Sequence, residues 1–417
     1  MDIIKKLYAR EIFDCRGLPT IECIITLSSD EQVRASVPTG QSRGSFEPKY
    51  LYDSNRFEGY GVSKAVEIIN TIISPALISK EPDLVAMDEF LINLDGTDDK
   101  SKYGANTLLA VSSAVCKAHA AVEDMELYEC IAYLLDIQKV SVPFGMFNII
   151  NGGRHADSGL SIQEVLIVPI GAESFTQAHA MATMIFQTLK KILQKYKLHT
   201  LVGDEGGFAP PIIKLEEVLD LVLTAIERAG FAGQIVVGID VAVSQFFDPI
   251  NNRYNIQGQQ YGSEELVDWY ISLIKQFGIY SIEDGLADSD WAGWVYMTQK
   301  IGTQVQLIGD DLFSSQINRI AQGIEREIAN TILIKPSQAG TITETLQAIK
   351  LCLTYNIPFV VSHRSGETND TFIADLALGS NASYIKAGGC IRGERVAKYN
   401  RMIEIEQELM LASVDLV

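Results

Sequence analysis

Positive charge is the scarcest resource of this chain. Its 417 residues carry 34 Lys and Arg against 53 Asp and Glu, a formal net charge of −19. Gripping a phosphate backbone needs a basic face, so nucleic acid is excluded as a partner. An anionic small molecule remains compatible if positive charge is concentrated locally. Long apolar runs are also missing: nowhere do about 18 apolar residues follow one another, so no membrane span is expected. The opening stretch MDIIKKLYAREIFD lacks the apolar segment of a secretory leader. Cysteine is sparse, with thiols at 15, 23, 116, 130, 352 and 390 and no CxxC pair. Reduced thiols and a cytoplasmic location are therefore expected. Neither a low-complexity tract nor an internal repeat beyond strand–helix alternation is present.

Hydrophobic residues make up 47% of the chain, ample for a globular interior. The length exceeds a usual single core, and two domains are expected. Residues 1–53 alternate apolar and polar, as in TIECIITL, with turn signals at RGLP and SSDE, which predicts an antiparallel meander. PTGQSRGS (38–45) is too polar for a core and reads as a loop. Helical periodicity runs from about Ser63 to Leu134. These features define an N-terminal α+β domain over 1–133. A new apolar run, VSVPFGMFNII, opens a second domain over 134–417.

Within that second domain, six short apolar runs each stop at an ionisable residue. QIVVGID ends on Asp240, YSIED on Glu283 and Asp284, and QLIGDD on Asp310 and Asp311. TILIK ends on Lys335, FVVSHR on His363 and Arg364, and SYIK on Lys386. Each interval leaves room for one helix, so the region reads as strand–helix units around a parallel sheet. Closure into a β/α barrel would put all six strand ends on one rim, where barrel enzymes keep their active sites. Upstream, SIQEVLIVPIG reads as a hairpin partner strand carrying Glu164, and VGDEGGFAPP is a constrained turn carrying Glu205.

The chemistry of these residues is specific. Asp240, Glu283 and Asp310 offer carboxylate oxygens from successive strand ends, a donor set suited to Mg²⁺. Any one of them could merely cap a helix, but three in consecutive units opposite two lysines favour a metal site. Lys335, at the end of a buried strand beside a dication, would have its pKa lowered and could act as a base. Glu205 could face it as a proton donor, kept protonated by a neighbour such as Glu164. His155 and His363 are two of only five histidines, and either could be a packed residue instead. Arg364 and Ser365 offer a guanidinium fork and a hydroxyl for a phosphate. A base, an acid and a metal together describe proton abstraction α to a carboxylate with loss of a β-hydroxyl.

Over nearly its whole length the chain resembles the enolase family. The stretches that carry the likeness are AREIFDCRGLPT, NIINGGRHAD, VGDEGGFAP, SIEDGLADSDWAGW, LIGDDLF, VVSHRSGETNDTFIADLALG and GERVAKYN. The resemblance implies an α+β domain ahead of an enolase-type β/α barrel. It also implies reversible dehydration of 2-phospho-D-glycerate to phosphoenolpyruvate in glycolysis and gluconeogenesis. By position, Lys335 would abstract the C2 proton, and Glu205, assisted by Glu164, would protonate the leaving hydroxyl. Asp240, Glu283 and Asp310 would hold a first Mg²⁺, and Ser42 would join a second one recruited with substrate. Arg364 and Ser365 would take the phosphate, Lys386 would lie near the carboxylate, and His155, Gln163 and His363 would line the pocket.

The chain also departs from the family pattern. The first loop reads Thr39-Gly40-Gln41-Ser42-Arg43 where SGAST is usual, and Pro336-Ser337 replace Val-Asn. Hydroxyls expected at Ala387 and Gly393 are absent. In the family's homodimer, Arg and Glu positions meet across the interface. Here Arg10 would face Gln407 and Glu22 would face Glu404, which implies a weaker or rearranged dimer. Two other readings stay open at this point: a paralogue acting weakly or on another acid sugar, and a non-catalytic binding or scaffold role.

Overall fold

The computed structural model describes residues 2–40 and 44–414. The expected meander forms from β1 (Ile4–Phe13), β2 (Pro19–Leu27) and β3 (Gln32–Ser36), antiparallel in that order. The central strand β2 is buried on both faces. It packs on the helix Ala105–Val122, whose Ala-, Ser- and Cys-rich surface is enclosed almost all round.

The second part closes into an eight-stranded barrel. Its first three strands are β4 (Phe144–Asn151), β5 (Glu164–Val168) and β6 (Val236–Asp240). A small separate sheet follows, made of β7 (Phe247–Asp248), β8 (Arg253–Ile256) and β9 (Gln259–Tyr261). The barrel then continues through β10 (Ile279–Glu283), β11 (Gln306–Gly309), β12 (Thr331–Ile334), β13 (Phe359–Ser362) and β14 (Tyr384–Lys386), which returns to β4. Seven of the strands run the same way. Only β5 is reversed, antiparallel to both β4 and β6. The sequence showed no sign of the small sheet. Its hairpin turns on Gln257 (φ +52°) and Gly258 (φ +77°), and glutamine is not the residue that usually announces such a turn.

Strand periodicity explains where the site lies. Successive side chains point to opposite faces of a strand, so residues two apart share a face. A layer of Met146, Leu166, Ile308, Leu333, Val360 and Tyr384, with Val168 below it, forms an apolar cluster distinct from the main core. Two residues further towards the rim on the same face come Asn148, Asp310, Lys335, Ser362 and Lys386. Gly238 and Ser281 stand in the equivalent layer beneath Asp240 and Glu283. In the reversed strand the count runs backwards, and Glu164, the first residue of β5, reaches the same rim opposite Asp240.

Two helices, Phe175–Lys195 and Leu215–Arg228, separate β5 from β6. The segment between them returns to the rim. Phe208 N–H donates to Ile149 O at 2.9 Å, and Asn151 N–H donates to Phe208 O at 2.8 Å. Glycine allows the turn before it to press this close. Gly206 has φ +94°, and a Cβ on Gly207 would fall 2.4 Å from Asn148 Oδ1.

The N-terminal part covers one side of the rim. Thr39 and Gly366 exchange backbone hydrogen bonds of 2.7 and 2.8 Å, and Cys15 N–H donates to Glu367 O at 2.8 Å. A second junction lies at Asp88, on the helix Leu84–Asp95. Its Oδ2 accepts from Ser112 Oγ at 2.9 Å and from Thr343 N–H at 2.8 Å, at the start of the helix Ile342–Thr354. One continuous apolar core runs through both parts.

Candidate active site

Most of the residues singled out from sequence converge on one cleft at the rim. Gln163, Glu164, Glu205, Asp240, Lys335 and Lys386 line it together with His155, His363, Arg364 and Ser365. Ser42, expected at a second cation, lies outside the described residues, as do its neighbours Gln41 and Arg43.

Lys386 is the hub. Its Nζ lies 2.6 Å from Glu164 Oε2, 2.9 Å from Asp240 Oδ2 and 2.7 Å from Glu283 Oε2, with every partner buried. Burial alone would lower its pKa, but the three carboxylates outweigh that and hold it well above the usual lysine value. Lys335 Nζ meets Asp310 Oδ2 at 2.5 Å, and Gln338 Nε2 donates to Asp310 Oδ1 at 2.8 Å. Burial opposes the charge on Lys335 as well, yet Asp310 raises it overall. The lowered pKa expected of this lysine is thus not found among these neighbours, where Asp310 outweighs burial and the nearby Arg364.

Glu164 and Glu205 form a coupled pair bridged by Asn148, whose Nδ2 donates to both. Burial, reinforced by the charge of Glu205, pushes Glu164 well up, so it holds the proton. Burial would raise Glu205 too. His155 beside it and the hydrogen bond with Glu164 act against that, and Glu205 is held well below the carboxylate range. His155 Nδ1 lies 3.0 Å from Glu205 Oε1, at ion-pair distance but misaligned for a hydrogen bond. His363 Nε2 lies 3.7 Å from Glu205 Oε2.

The three residues expected at a first metal each face a lysine. Asp240 and Glu283 turn to Lys386 and Asp310 turns to Lys335. Among the described residues, ligand atoms within 4.8 Å of one another come in two groups, Asp284 with Asp310 and Asp311, and Glu164 with Glu205 and His363. Asp284 is itself engaged, accepting from the backbone N–H groups of Asp310 and Asp311 at 2.9 and 2.8 Å. The donor set nevertheless fits a hard divalent cation. Burial and then neighbouring acid charges push Glu283 and Asp284 well up, so the cleft holds more carboxylate than its own cations can neutralise.

Several contributors went unassigned in the sequence. Glu47 forms a buried fork with Arg364, Oε2 to Nη1 at 3.0 Å and Oε1 to Nη2 at 3.1 Å. Ser337, one of the departures from the family pattern, accepts from Arg364 Nη1 at 3.1 Å. Gln163 Nε2 donates to Asp240 Oδ2 at 3.4 Å, and Gln245 Nε2 donates to Gln163 Oε1 at 2.8 Å. Asn148 sits where strand periodicity could have placed it, whereas Gln338 lies in the short helix Pro336–Ala339 just beyond its strand. Glu47 carried no local signal, because its partner lies more than 300 residues away in the chain.

Comparison with known proteins agrees with this geometry. Residues 4–131 match the family model "Enolase, N-terminal domain", and residues 139–414 match "Enolase, C-terminal TIM barrel domain". Two curated relatives, each named Enolase, come from Ehrlichia ruminantium strains Welgevonden and Gardel. Each is 44% identical over 416 residues, covering 99% of this chain and 98% of the relative. Enolases imply a small-molecule substrate and a divalent metal. The chain therefore belongs to the enolase family, the phosphopyruvate hydratases, and is a lyase.

Proposed function

We propose that the protein catalyses the reversible, Mg²⁺-dependent dehydration of 2-phospho-D-glycerate to phosphoenolpyruvate, in glycolysis and gluconeogenesis. The observation that carries this reading is that Lys335, largely enclosed, lines one cleft together with the buried Glu164–Glu205 pair. Elimination of water needs a base for the C2 proton and an acid for the C3 hydroxyl, and in this reading Lys335 and the glutamate pair supply them.

In this reading Lys335 Nζ accepts the C2 proton, and the C–H electron pair goes on to form the C2–C3 double bond. Glu205 delivers a proton to the C3 oxygen, which leaves as water when the C–O bond breaks. Glu205 is ionised in the resting site, so Glu164 holds the proton in reserve and passes it across. Arg364, held against the wall by Glu47 and Ser337, and Ser365 bind the phosphate. Lys386 draws the carboxylate of the substrate to the floor of the cleft, with Gln163, His155 and His363 around it. Asp240, Glu283 and Asp310 would hold the first Mg²⁺, and Ser42 would contribute to a second. Bound magnesium supplies the positive charge that makes a doubly negative carboxylate tolerable. Asp310 would then share its charge with the ion, weakening the effect that keeps Lys335 protonated.

Two further elements belong to this proposal. Residues 1–133 act as a capping domain and 134–417 as the catalytic barrel. The cytoplasm is the expected compartment, because all six cysteines are free thiols and five are buried. No helix among the described residues is long and apolar enough to cross a membrane. The decisive experiment follows the ultraviolet absorbance of the enol phosphate product on 2-phosphoglycerate with Mg²⁺, then with EDTA. Growth of the signal only with the metal is expected. No product in either condition, from folded protein, would overturn the assignment.

A further inference from the structure

Arg395 is the most completely enclosed cation of the rim, with no exposed surface, and no catalytic step uses it. It sits in the first turn of the final helix, Gly393–Val414. Its Nη1 lies 2.6 Å from His363 Nδ1 and donates to Arg364 O at 2.6 Å. Its Nη2 donates to Ser365 O at 2.5 Å and to Asp204 O at 3.2 Å, and Nε lies 3.4 Å from Glu394 Oε1. One guanidinium therefore ties the phosphate loop to the turn that carries the acid Glu205.

The contact with the imidazole has a chemical consequence. Guanidinium has donors only and is always protonated in proteins. A ring nitrogen 2.6 Å from such a donor must present its lone pair, so Nδ1 of His363 carries no hydrogen. The one ring proton is then on Nε2, the atom that faces Glu205 Oε2. Doubly protonated imidazole would set N–H against N–H at this contact. Burial, which also disfavours the imidazolium, acts in the same direction.

We infer that Arg395 is a positioning residue of the active site: it fixes His363 as the neutral, Nε2-protonated tautomer, so that the ring offers Glu205 and the substrate a donor. This rests on the reading of Glu205 as the proton donor. The assignment of the tautomer does not, because it can be observed without turnover. A histidine whose second nitrogen is bound by a fixed partner has its tautomer chosen for it; for metal-bound histidines such outer partners are worth roughly 10- to 100-fold in activity, and an effect of the lower order is expected here.

The test uses full-length, Mg²⁺-loaded protein labelled with ¹⁵N at histidine, and reads the His363 ring nitrogens by long-range proton–nitrogen correlation. A pyridine-type Nδ1 and a pyrrole-type Nε2 are expected in the parent protein. Arg395→Lys, which keeps a donor, should retain that pattern in part. Arg395→Met should give a mixture of tautomers and lose roughly tenfold or more in kcat, with a smaller change in KM. A protonated Nδ1 in the parent protein overturns the proposal even if neither variant folds. An unchanged tautomer in folded Arg395→Met overturns it as well. Failure of the parent protein to turn over 2-phosphoglycerate would sink the functional reading while leaving the tautomer result standing.

Discussion

At 2.5 Å from Asp310, Lys335 is an ammonium held by its neighbour, and the proposed base must lose that proton before it can act. Lys335→Ala should lower kcat by roughly 10²- to 10⁴-fold, the usual contribution of one acid or base. A near-ultraviolet dichroism spectrum like that of the parent would show that the fold survives. The Glu164–Glu205 pair predicts an asymmetry. Glutamine resembles a protonated carboxyl, so Glu164→Gln replaces a group already neutral in the resting site. Glu205→Gln removes the carboxylate that sits between two histidines. In metal-free buffer near pH 7, thermal denaturation should find Glu205→Gln less stable than Glu164→Gln, by about 1–3 kcal/mol. Equal midpoints would mean that the proton is not localised on Glu164. Strand ends were legible as a class because a polar residue after an apolar run is a local pattern. Glu47 and Arg395 were not legible, because what they do depends on contacts made only after the chain has folded.

Among the elements, the helices around Asp88 offer the clearest pH dependence. Burial pushes Asp88 up to about 6 from an ordinary 3.8, against the hydrogen bonds from Thr343 and Ser112. A carboxyl with a raised folded pKa binds its proton more tightly in the folded state. Its contribution to stability is complete below about pH 4 and is lost as the pH rises through about 6. Asp88→Asn keeps an acceptor for Ser112 and Thr343 without the charge. Relative to the parent, it should gain about 1–3 kcal/mol between about pH 4 and pH 7, read from urea midpoints at each pH. A pH-independent difference would show that the acid is not buried as described. In sequence, Asp88 looks like any polar residue of an amphipathic helix. Its burial arises only because the helix Ile342–Thr354 starts against it. The reversed strand β5 was legible as a hairpin partner. The small sheet β7–β9 was not, since its strands are too short to show periodicity.

For the molecule as a whole, the cleft is short of positive charge, and a cation that binds only the folded state must stabilise it. Mg²⁺ at about a hundred times its dissociation constant should add roughly 2.7 kcal/mol. The measurement is a thermal midpoint raised by Mg²⁺ and returned by EDTA; a midpoint indifferent to both would argue against the acidic site. Assembly is the second prediction at this scale. Arg10 and Glu22, the residues expected at a partner, instead pair with each other across β1 and β2, with Arg10 Nη2 2.6 Å from Glu22 Oε2. Glu404 pairs with Arg401 at 3.0 Å. Charges already satisfied within one chain give little to a second, so a weaker or rearranged homodimer is expected. Sedimentation showing a tight dimer at submicromolar concentration would refute it.

The single backward strand also decides where foreign sequence could be grafted. Because β5 descends, residues 152–163 arch over the catalytic mouth, whereas 169–174 emerge at the opposite end of the barrel. A peptide inserted at 169–174 would hang from the underside, away from substrate traffic. The same cargo at 152–163 would dangle across the entrance beside His155.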